Sequence, residues 1–141
     1  MTAQADRPQR RRDRGGRART QGRTAEVVAA FWLMAHGYRI LGFRMKLAGV
    51  EVDLAVRRRD VLAVVEVKRR RTLQAALEAV TPVQQARLRR AGSALAARSR
   101  AAGVVPSVRL DLLALAPGRL PQHVADAWGD ALGTREAGRW P

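Results

Sequence analysis

The chain has 141 residues, 47% hydrophobic and 28% charged, which is enough for one domain with a buried core and excludes a chain disordered throughout. Its 27 lysines and arginines outnumber 12 acidic residues, and the formal net charge of +15 favours a polyanionic partner, nucleic acid before an acidic membrane surface. The absence of cysteine excludes disulfides and cysteine-based zinc sites, and it is typical of a reducing cytoplasm.

Three segments of different composition are predicted. Residues 1–19 are rich in arginine and almost devoid of apolar side chains, so they cannot repay the entropy of ordering and are predicted to form a flexible basic arm. Such an arm either follows phosphates without sequence preference or serves only solubility. Residues 20–128 form the single domain, and residues 129–141 are predicted to be a loose tail.

A helix is predicted from about Thr20 to His36, with Gly37 as its stop. Its apolar residues recur at helical spacing, so we expect one buried face, made of Ala25, Val28, Ala29, Trp32 and Leu33. Glu26 lies in the first turns, where a surface carboxylate that complements the helix dipole and a role at a metal are both open. The uncharged run from Val27 to Ala35 is too short to span a bilayer, so we expect no membrane anchor.

Two apolar strands joined by a charged turn are predicted between Val50 and Lys68. Both carry apolar residues on either face, which is typical of interior strands covered on two sides. If the chain turns about Arg59 and Asp60, simple antiparallel pairing sets Asp53 opposite Glu66. The same pairing sets Glu51 opposite Lys68.

The remaining elements complete an α/β domain with a mixed central sheet of about five strands flanked by helices. A first strand runs from Tyr38 to Lys46, and a long helix begins at Thr81 and Pro82 and ends before Gly103. Gln84 lies three residues after Thr81, as in a capping box. Two further strands are predicted at Val104–Leu115 and Leu120–Val124.

Within the strand Val104–Leu115, two charged residues alternate with apolar ones. We expect Arg109 and Asp111 to form an ion pair, and a supporting role of Asp111 behind a metal site is the alternative.

Two carboxylates side by side at the end of a buried strand repel each other, and a bound divalent cation usually offsets the repulsion. Asp53 and Glu66 are therefore predicted to hold Mg²⁺, or Mn²⁺ in its place, as hydrolysis of a phosphodiester requires. Lys68 is predicted to face the same way as Glu66, where its ammonium can orient the attacking water or stabilise phosphoryl charge. Lys46 and Lys68 are the only lysines among 27 basic residues, which indicates a specific need for a compact charge at Lys68.

Several arginines are candidates for binding phosphates around this acidic pair. Each group alone is typical of a solvated surface, but together they flank groups that would otherwise repel a nucleic acid. The candidates are Arg57, Arg58 and Arg59 in the turn, Arg69, Arg70 and Arg71 after Lys68, and Arg87 and Arg90 on the long helix.

The order of these motifs resembles the PD-(D/E)XK nuclease superfamily, and more closely the YraN-type family of uncharacterised, predicted endonucleases. The resemblance covers about Thr20 to Val124. The motifs that carry it are Gly22-Arg23-x-Ala25-Glu26, Gly37-Tyr38, Glu51-Val52-Asp53-Leu54, Val65-Glu66-Val67-Lys68, Ala79-Val80-Thr81-Pro82 and Arg109-x-Asp111.

The resemblance implies a restriction-endonuclease-like fold, akin to archaeal Holliday-junction resolvases. It implies Asp53 and Glu66 as catalytic metal ligands, Lys68 as the catalytic lysine and Glu26 as an extra ligand, with Glu51 and Gln84 in support. Two departures stand out: Val50 intervenes between Gly49 and Glu51, which predicts a shifted turn or bulge at the start of that strand, and Gln84 replaces a lysine.

Two functions are carried forward. The first is a Mg²⁺-dependent endonuclease acting on DNA rather than RNA, with branched or damaged DNA as candidate substrates. The alternative is a nucleic-acid-binding module that does not cut and has a vestigial acidic cluster. For either we expect a cytoplasmic protein, with a homodimer left open.

Overall fold

The computed structural model describes residues 22–103 and 107–128, so the predicted N-terminal arm and C-terminal tail lie outside the described residues. A first helix, α1, covers residues 22–35 of the described chain. The elements that follow are β1 (Arg39–Leu47), β2 (Val50–Arg58), β3 (Val61–Arg69), α2 (Leu73–Leu77), α3 (Pro82–Ala101), β4 (Ser107–Leu115) and β5 (Gln122–Val124).

The five strands form one mixed sheet in the order β1-β2-β3-β4-β5. Strands β1, β2 and β3 pair antiparallel, β4 pairs parallel to β3, and β5 pairs antiparallel to β4. The parallel pair requires a crossover between β3 and β4, and α2 and α3 lie in it. This confirms the predicted α/β domain with a five-stranded central sheet flanked by helices.

Apolar cores lie on both faces of the sheet. One core contains α1, and its sheet residues are Leu54, Val56, Ala63, Val65, Leu113 and Leu115. The other contains α3, and its sheet residues are Leu47, Val52, Ala55, Leu62, Val64, Leu110 and Leu112. The central strands are thus covered on both sides, as their apolar sequences predict.

The buried face of α1 differs from the prediction. Ala25, Ala29 and Leu33 are buried as expected, but Val28 is 43% exposed and Ala30 is buried instead. Three of the four buried residues of α1 are alanines. No helix in residues 22–103 and 107–128 is both long and apolar enough to cross a membrane.

The hairpin of β2 and β3 turns where the sequence predicts. Arg58 pairs with Val61, and Arg59 between them has a left-handed φ of 55°. The ladder continues to the pair of Leu54 with Val65.

The hairpin of β1 and β2 corrects one expectation. The turn residues Ala48 and Gly49 have φ of 51° and 75°, which is typical of a tight type I′ turn. Pairing then runs in regular register from Leu47–Val50 to Met45–Val52, so the irregularity predicted at Val50 is not there. The irregularities lie further along β1, at a register shift between Ile40 and Gly42 and at Arg44, whose φ is 49°.

Candidate active site

The end of β3 brings an acid and a lysine together. Glu66 and Lys68 are alternate residues of the strand and therefore share one side of it. Their Oε1 and Nζ atoms lie 3.1 Å apart, and both side chains are 15% exposed. The predicted side-by-side placement of these two residues is confirmed.

Asp53 reaches this pair from the neighbouring strand. The backbone pairing of β2 with β3 ends at Leu54. At the next residue, the Asp53 carboxylate accepts a hydrogen bond from the Val67 amide at 2.8 Å. Val67 is the residue between Glu66 and Lys68. The predicted meeting of Asp53 with Glu66 and Lys68 at one spot is therefore what the structure shows.

The electrostatics of Asp53 reflect this crowding. Burial, and then the negative charge of Glu66, raises the pKa of Asp53 from 3.8 to about 7. The Val67 amide opposes the rise, Glu26 adds to it, and Lys68 lowers it. Three side chains from β3 and α1, together with one backbone amide, thus act on this carboxyl group, which is costly to ionise without a further cation.

Glu26 approaches the cluster from α1, but Arg44 holds it. The Nε atom of Arg44 lies 3.0 and 3.2 Å from the two carboxylate oxygens of Glu26, whose side chain is 13% exposed. The hydrogen bond with Glu26 and its charge raise the pKa of Arg44, and the charges of Glu51 and Asp53 raise it further. Glu26 is therefore near the site as predicted, but an ion pair engages it.

Arg44 is absent from the residues that the sequence singles out. In the sequence it is one of several basic residues predicted to face outward on the first strand, and no local pattern distinguishes it from them. Its importance follows from the packing of α1 beside β1, which brings it to Glu26, 18 positions away in the chain.

The chain matches a family model described as "Uncharacterised protein family UPF0102" over residues 25–115, which include Glu26, Asp53, Glu66 and Lys68. The chain belongs to UPF0102. A "UPF0102 protein" of Caulobacter sp. (strain K31) is 58% identical over 123 residues, covering 87% of this chain and 88% of the relative. Another of Caulobacter vibrioides (strain NA1000 / CB15N) is 59% identical over 121 residues, covering 86% and 96%. "UPF0102 protein amb4503" of Paramagnetospirillum magneticum is 47% identical over 116 residues, covering 79% and 88%.

The two supporting residues predicted for this UPF0102 chain have other partners. Glu51 pairs across the sheet with Lys46 of β1. Because the β2–β3 ladder ends at Leu54, the predicted pair of Glu51 with Lys68 is not part of it, and neither is the pair of Asp53 with Glu66; Asp53 reaches β3 through its side chain instead. The Gln84 side chain accepts a hydrogen bond from the Thr81 amide and completes the capping box of α3. Capping accounts for Gln84 without a role in the site.

The candidate phosphate-binding arginines lie in three places. Arg69, Arg70 and Arg71 are exposed and follow Lys68 directly. The triplet of the hairpin turn lies at the other end of β3, about 25 Å away for nine extended residues. There Arg58 stacks on the Tyr38 ring at 4.6 Å and donates to the His36 carbonyl, so it also braces the end of α1. On α3, Arg87 and Arg90 are exposed.

The predicted ion pair of Arg109 and Asp111 is confirmed, and it belongs to a larger buried network. Two nitrogens of Arg109 each lie 2.8 Å from an oxygen of Asp111, and Arg109 donates to the Tyr38 hydroxyl at 2.7 Å. His123 of β5 approaches the same carboxylate at 2.7 Å, and the Asp126 amide donates to it at 3.0 Å. The network ties β4 and β5 to Tyr38, in the link between α1 and β1, so its contacts are structural.

Opposing effects set the charges in this network. Burial alone would raise the pKa of Asp111, but hydrogen bonds with His123 and Arg109 hold it below its ordinary value. Burial alone would lower the pKa of Arg109, but Asp111 and Tyr38 raise it. The sequence does not predict the contacts of Tyr38 and His123 with Arg109 and Asp111, because these residues are far apart in the chain and give no local signal.

Proposed function

We propose that this UPF0102 protein is a Mg²⁺-dependent endonuclease that hydrolyses DNA phosphodiester bonds. The observation that carries the proposal is the hydrogen bond from the Val67 amide to Asp53, because it fixes a second carboxylate beside Glu66 and Lys68. Two acids and one ammonium at one end of a sheet form the arrangement that the resemblance to PD-(D/E)XK nucleases implies.

Asp53 and Glu66 would hold the metal ion. Both offer hard oxygen ligands. Burial first, and the charge of Glu66 second, raise the pKa of Asp53, so a divalent cation beside it would favour the ionised carboxylate. When bound, Mg²⁺ supplies positive charge that offsets the charge growing on the phosphoryl group. The two carboxylates together supply the ligand count that Mg²⁺ commonly takes from a protein in phosphate chemistry.

Lys68 would act on the substrate side of the site. Its ammonium is held 3.1 Å from Glu66 and is largely shielded from solvent, so it is oriented before substrate binds. From there it can orient the attacking water and stabilise the charge on the phosphoryl oxygens. Preorganised charges of this kind cost no rearrangement when the bond breaks.

The basic surface supports a nucleic acid as substrate. Arg69, Arg70 and Arg71 are exposed next to the acids, and the whole chain carries a formal charge of +15. Such charge offsets the repulsion between phosphates and the acidic site. We assign DNA, and branched or damaged DNA as the first substrates to try, on the likeness to junction resolvases.

Nicking of supercoiled plasmid and of a four-way junction tests this function. With Mg²⁺ or Mn²⁺ we expect cleavage by the wild type and loss of cleavage in Asp53→Asn and Lys68→Ala. Glu78→Gln is the matched control, since Glu78 is an exposed acid at the end of α2 and lies outside the site. Equal cleavage by all four proteins would reject the proposal.

A second function is a module that binds nucleic acid without cutting it. The observation that favours it is that no three His, Asp or Glu side chains in residues 22–103 and 107–128 form a group able to hold a metal ion. This alternative predicts no nicking by any variant, no thermal shift with Mn²⁺, and DNA binding that is unchanged or tighter in Asp53→Asn.

A further inference from the structure

Arg44 has an unusual backbone for an arginine inside a strand. Its φ of 49° lies in the left-handed region, which residues other than glycine seldom adopt. The pairs on either side, Phe43 with Leu54 and Met45 with Val52, are intact, but Arg44 and Asp53 between them are not paired in the ladder. The strand is thus distorted at the one point where it passes the acidic site.

The distortion directs the Arg44 side chain to the acids. Its Nε atom contacts both oxygens of Glu26, at 3.0 and 3.2 Å. The charges of Glu51 and Asp53 also act on it. A permanent cation is therefore paired with the Glu26 carboxylate and lies within electrostatic reach of Glu51 and Asp53.

We propose that Arg44 is an internal counter-ion of the acidic site, a positioning residue that keeps Glu26 out of the metal ligand set and limits how tightly the site binds a divalent cation. The inference rests on the proposed function, because it concerns the same metal ion. In this proposal Glu26 is not an extra metal ligand, because Arg44 holds its carboxylate.

The physical argument is competition between two cations for one carboxylate. A guanidinium held by both oxygens neutralises Glu26 and adds a positive charge that repels a second cation nearby. Without Arg44, Glu26 would be a third carboxylate beside Asp53 and Glu66. Its charge would then favour the divalent cation instead of the arginine.

Isothermal titration calorimetry of the purified full-length chain with Mn²⁺ alone tests this role. We expect Arg44→Gln to bind Mn²⁺ at least about threefold more tightly than the wild type, the size expected for a partly exposed ion pair. The control is Arg39→Gln, which removes the same charge from an exposed position of the same strand. It should change the affinity by less than about twofold, because screening weakens distant charges.

Two further variants show whether the gain comes through Glu26. In Arg44→Gln combined with Glu26→Gln the tighter binding should disappear, because the carboxylate that was released is no longer there. Arg44→Lys keeps the positive charge and should bind Mn²⁺ like the wild type. If Arg44→Gln does not fold, Glu26→Gln should bind Mn²⁺ more weakly than the wild type, because it leaves the Arg44 cation uncompensated, and the double variant should restore wild-type affinity. Equally weak binding by Glu26→Gln and the double variant would overturn the role.

The failures of the two proposals are distinguishable. Mn²⁺ binding by the wild type, with equal affinity in Arg44→Gln and Arg39→Gln, would overturn the role of Arg44 and leave the proposed function intact. A gain in affinity that persists without the Glu26 carboxylate would also overturn it. No Mn²⁺ binding by any of these proteins would overturn both.

Discussion

The backbone amide of Val67 donates a hydrogen bond to the carboxylate of Asp53 at 2.8 Å, where β2 stops pairing with β3. A side chain thus takes the place of a backbone acceptor at the end of the ladder. The exchange binds a buried acid to the strand that carries Glu66 and Lys68, and the position of Asp53 therefore depends on the fold rather than on a bound ion.

Replacing Asp53 by Asn should stabilise the metal-free protein while abolishing cleavage. The pKa of Asp53 is 3.8 ordinarily and about 7 in the fold, so ionisation costs the folded state more than the unfolded state. That cost starts as pH rises above 3.8 and is complete above about 7. Thermal unfolding should accordingly show a larger gain in melting temperature for Asp53→Asn at pH 8 than at pH 5.

Asp60→Asn is the control for that measurement. Asp60 is an exposed carboxylate in the turn of the same hairpin, so its replacement should change the free energy of unfolding by less than about 0.5 kcal/mol at either pH. A melting temperature of Asp53→Asn that is equal to or below that of the wild type at pH 8 would contradict the prediction.

Lys68 should not be replaceable by arginine. A guanidinium is planar and larger than an ammonium, and it would not fit the same 3.1 Å contact with Glu66 while also facing a phosphate. We expect Lys68→Arg and Lys68→Ala each to lower the nicking rate by about a hundredfold or more, the usual effect of losing a preorganised charge. Unchanged circular dichroism and melting temperature would show that the fold is intact, and full activity of Lys68→Arg would count against the role.

The arginines next to the site should contribute to the salt dependence of DNA binding. Arg71→Gln is expected to reduce the slope of log affinity against log salt concentration by about 0.9, the value for one phosphate contact. Arg98→Gln removes the same charge from the last turn of α3 and should leave the slope unchanged. Fluorescence anisotropy in the cleavage-deficient Asp53→Asn background provides the measurement, and equal slopes would remove Arg71 from the binding surface.

The buried carboxylate of Asp111 should make the fold sensitive to acid. Its pKa is held below its ordinary value of 3.8, so its contribution to stability is present above that value and is lost as pH falls through the lower value in the fold. Asp111→Ala removes the carboxylate that two nitrogens of the buried Arg109 contact and should cost about 3 to 5 kcal/mol at pH 7. Chemical denaturation at pH 7 and below pH 4 tests both statements.

A milder variant separates charge from packing at this position. Asp111→Asn keeps the shape, so it should destabilise the protein at pH 7 and lose that deficit as pH falls, when the wild-type carboxyl also becomes neutral. A deficit independent of pH would indicate that packing, not charge, accounts for the effect.

Local patterns determine most of the fold, which is why the sequence predicts it. The turn at Arg59 and Asp60, the capped start of α3 at Thr81 and the apolar central strands all follow from neighbouring residues. The meeting of Asp53 with Glu66 follows from the same hairpin, since thirteen positions and one turn fix their register.

The rest depends on contacts between distant segments. His123 reaches Asp111 only because β5 pairs with β4, and Arg109 reaches Tyr38 across 71 positions. The contact of Arg44 with Glu26 joins β1 to α1 across 18 positions, and no local sequence pattern predicts it or the left-handed backbone of Arg44. The prediction that Val28 is buried is wrong, because the helical spacing of apolar residues does not show which side of α1 the sheet covers.

The irregular backbone of β1 also affects the tendency of this protein to self-associate. As the outermost strand of its sheet, β1 has one side with no neighbour in the described chain. Straight outer strands invite another molecule to add to the sheet and start aggregation, whereas kinks and cationic side chains discourage it. The shift between Ile40 and Gly42, followed by the bend at Arg44, interrupts the regular backbone that such an addition needs, so straightening this strand should make the protein prone to aggregate.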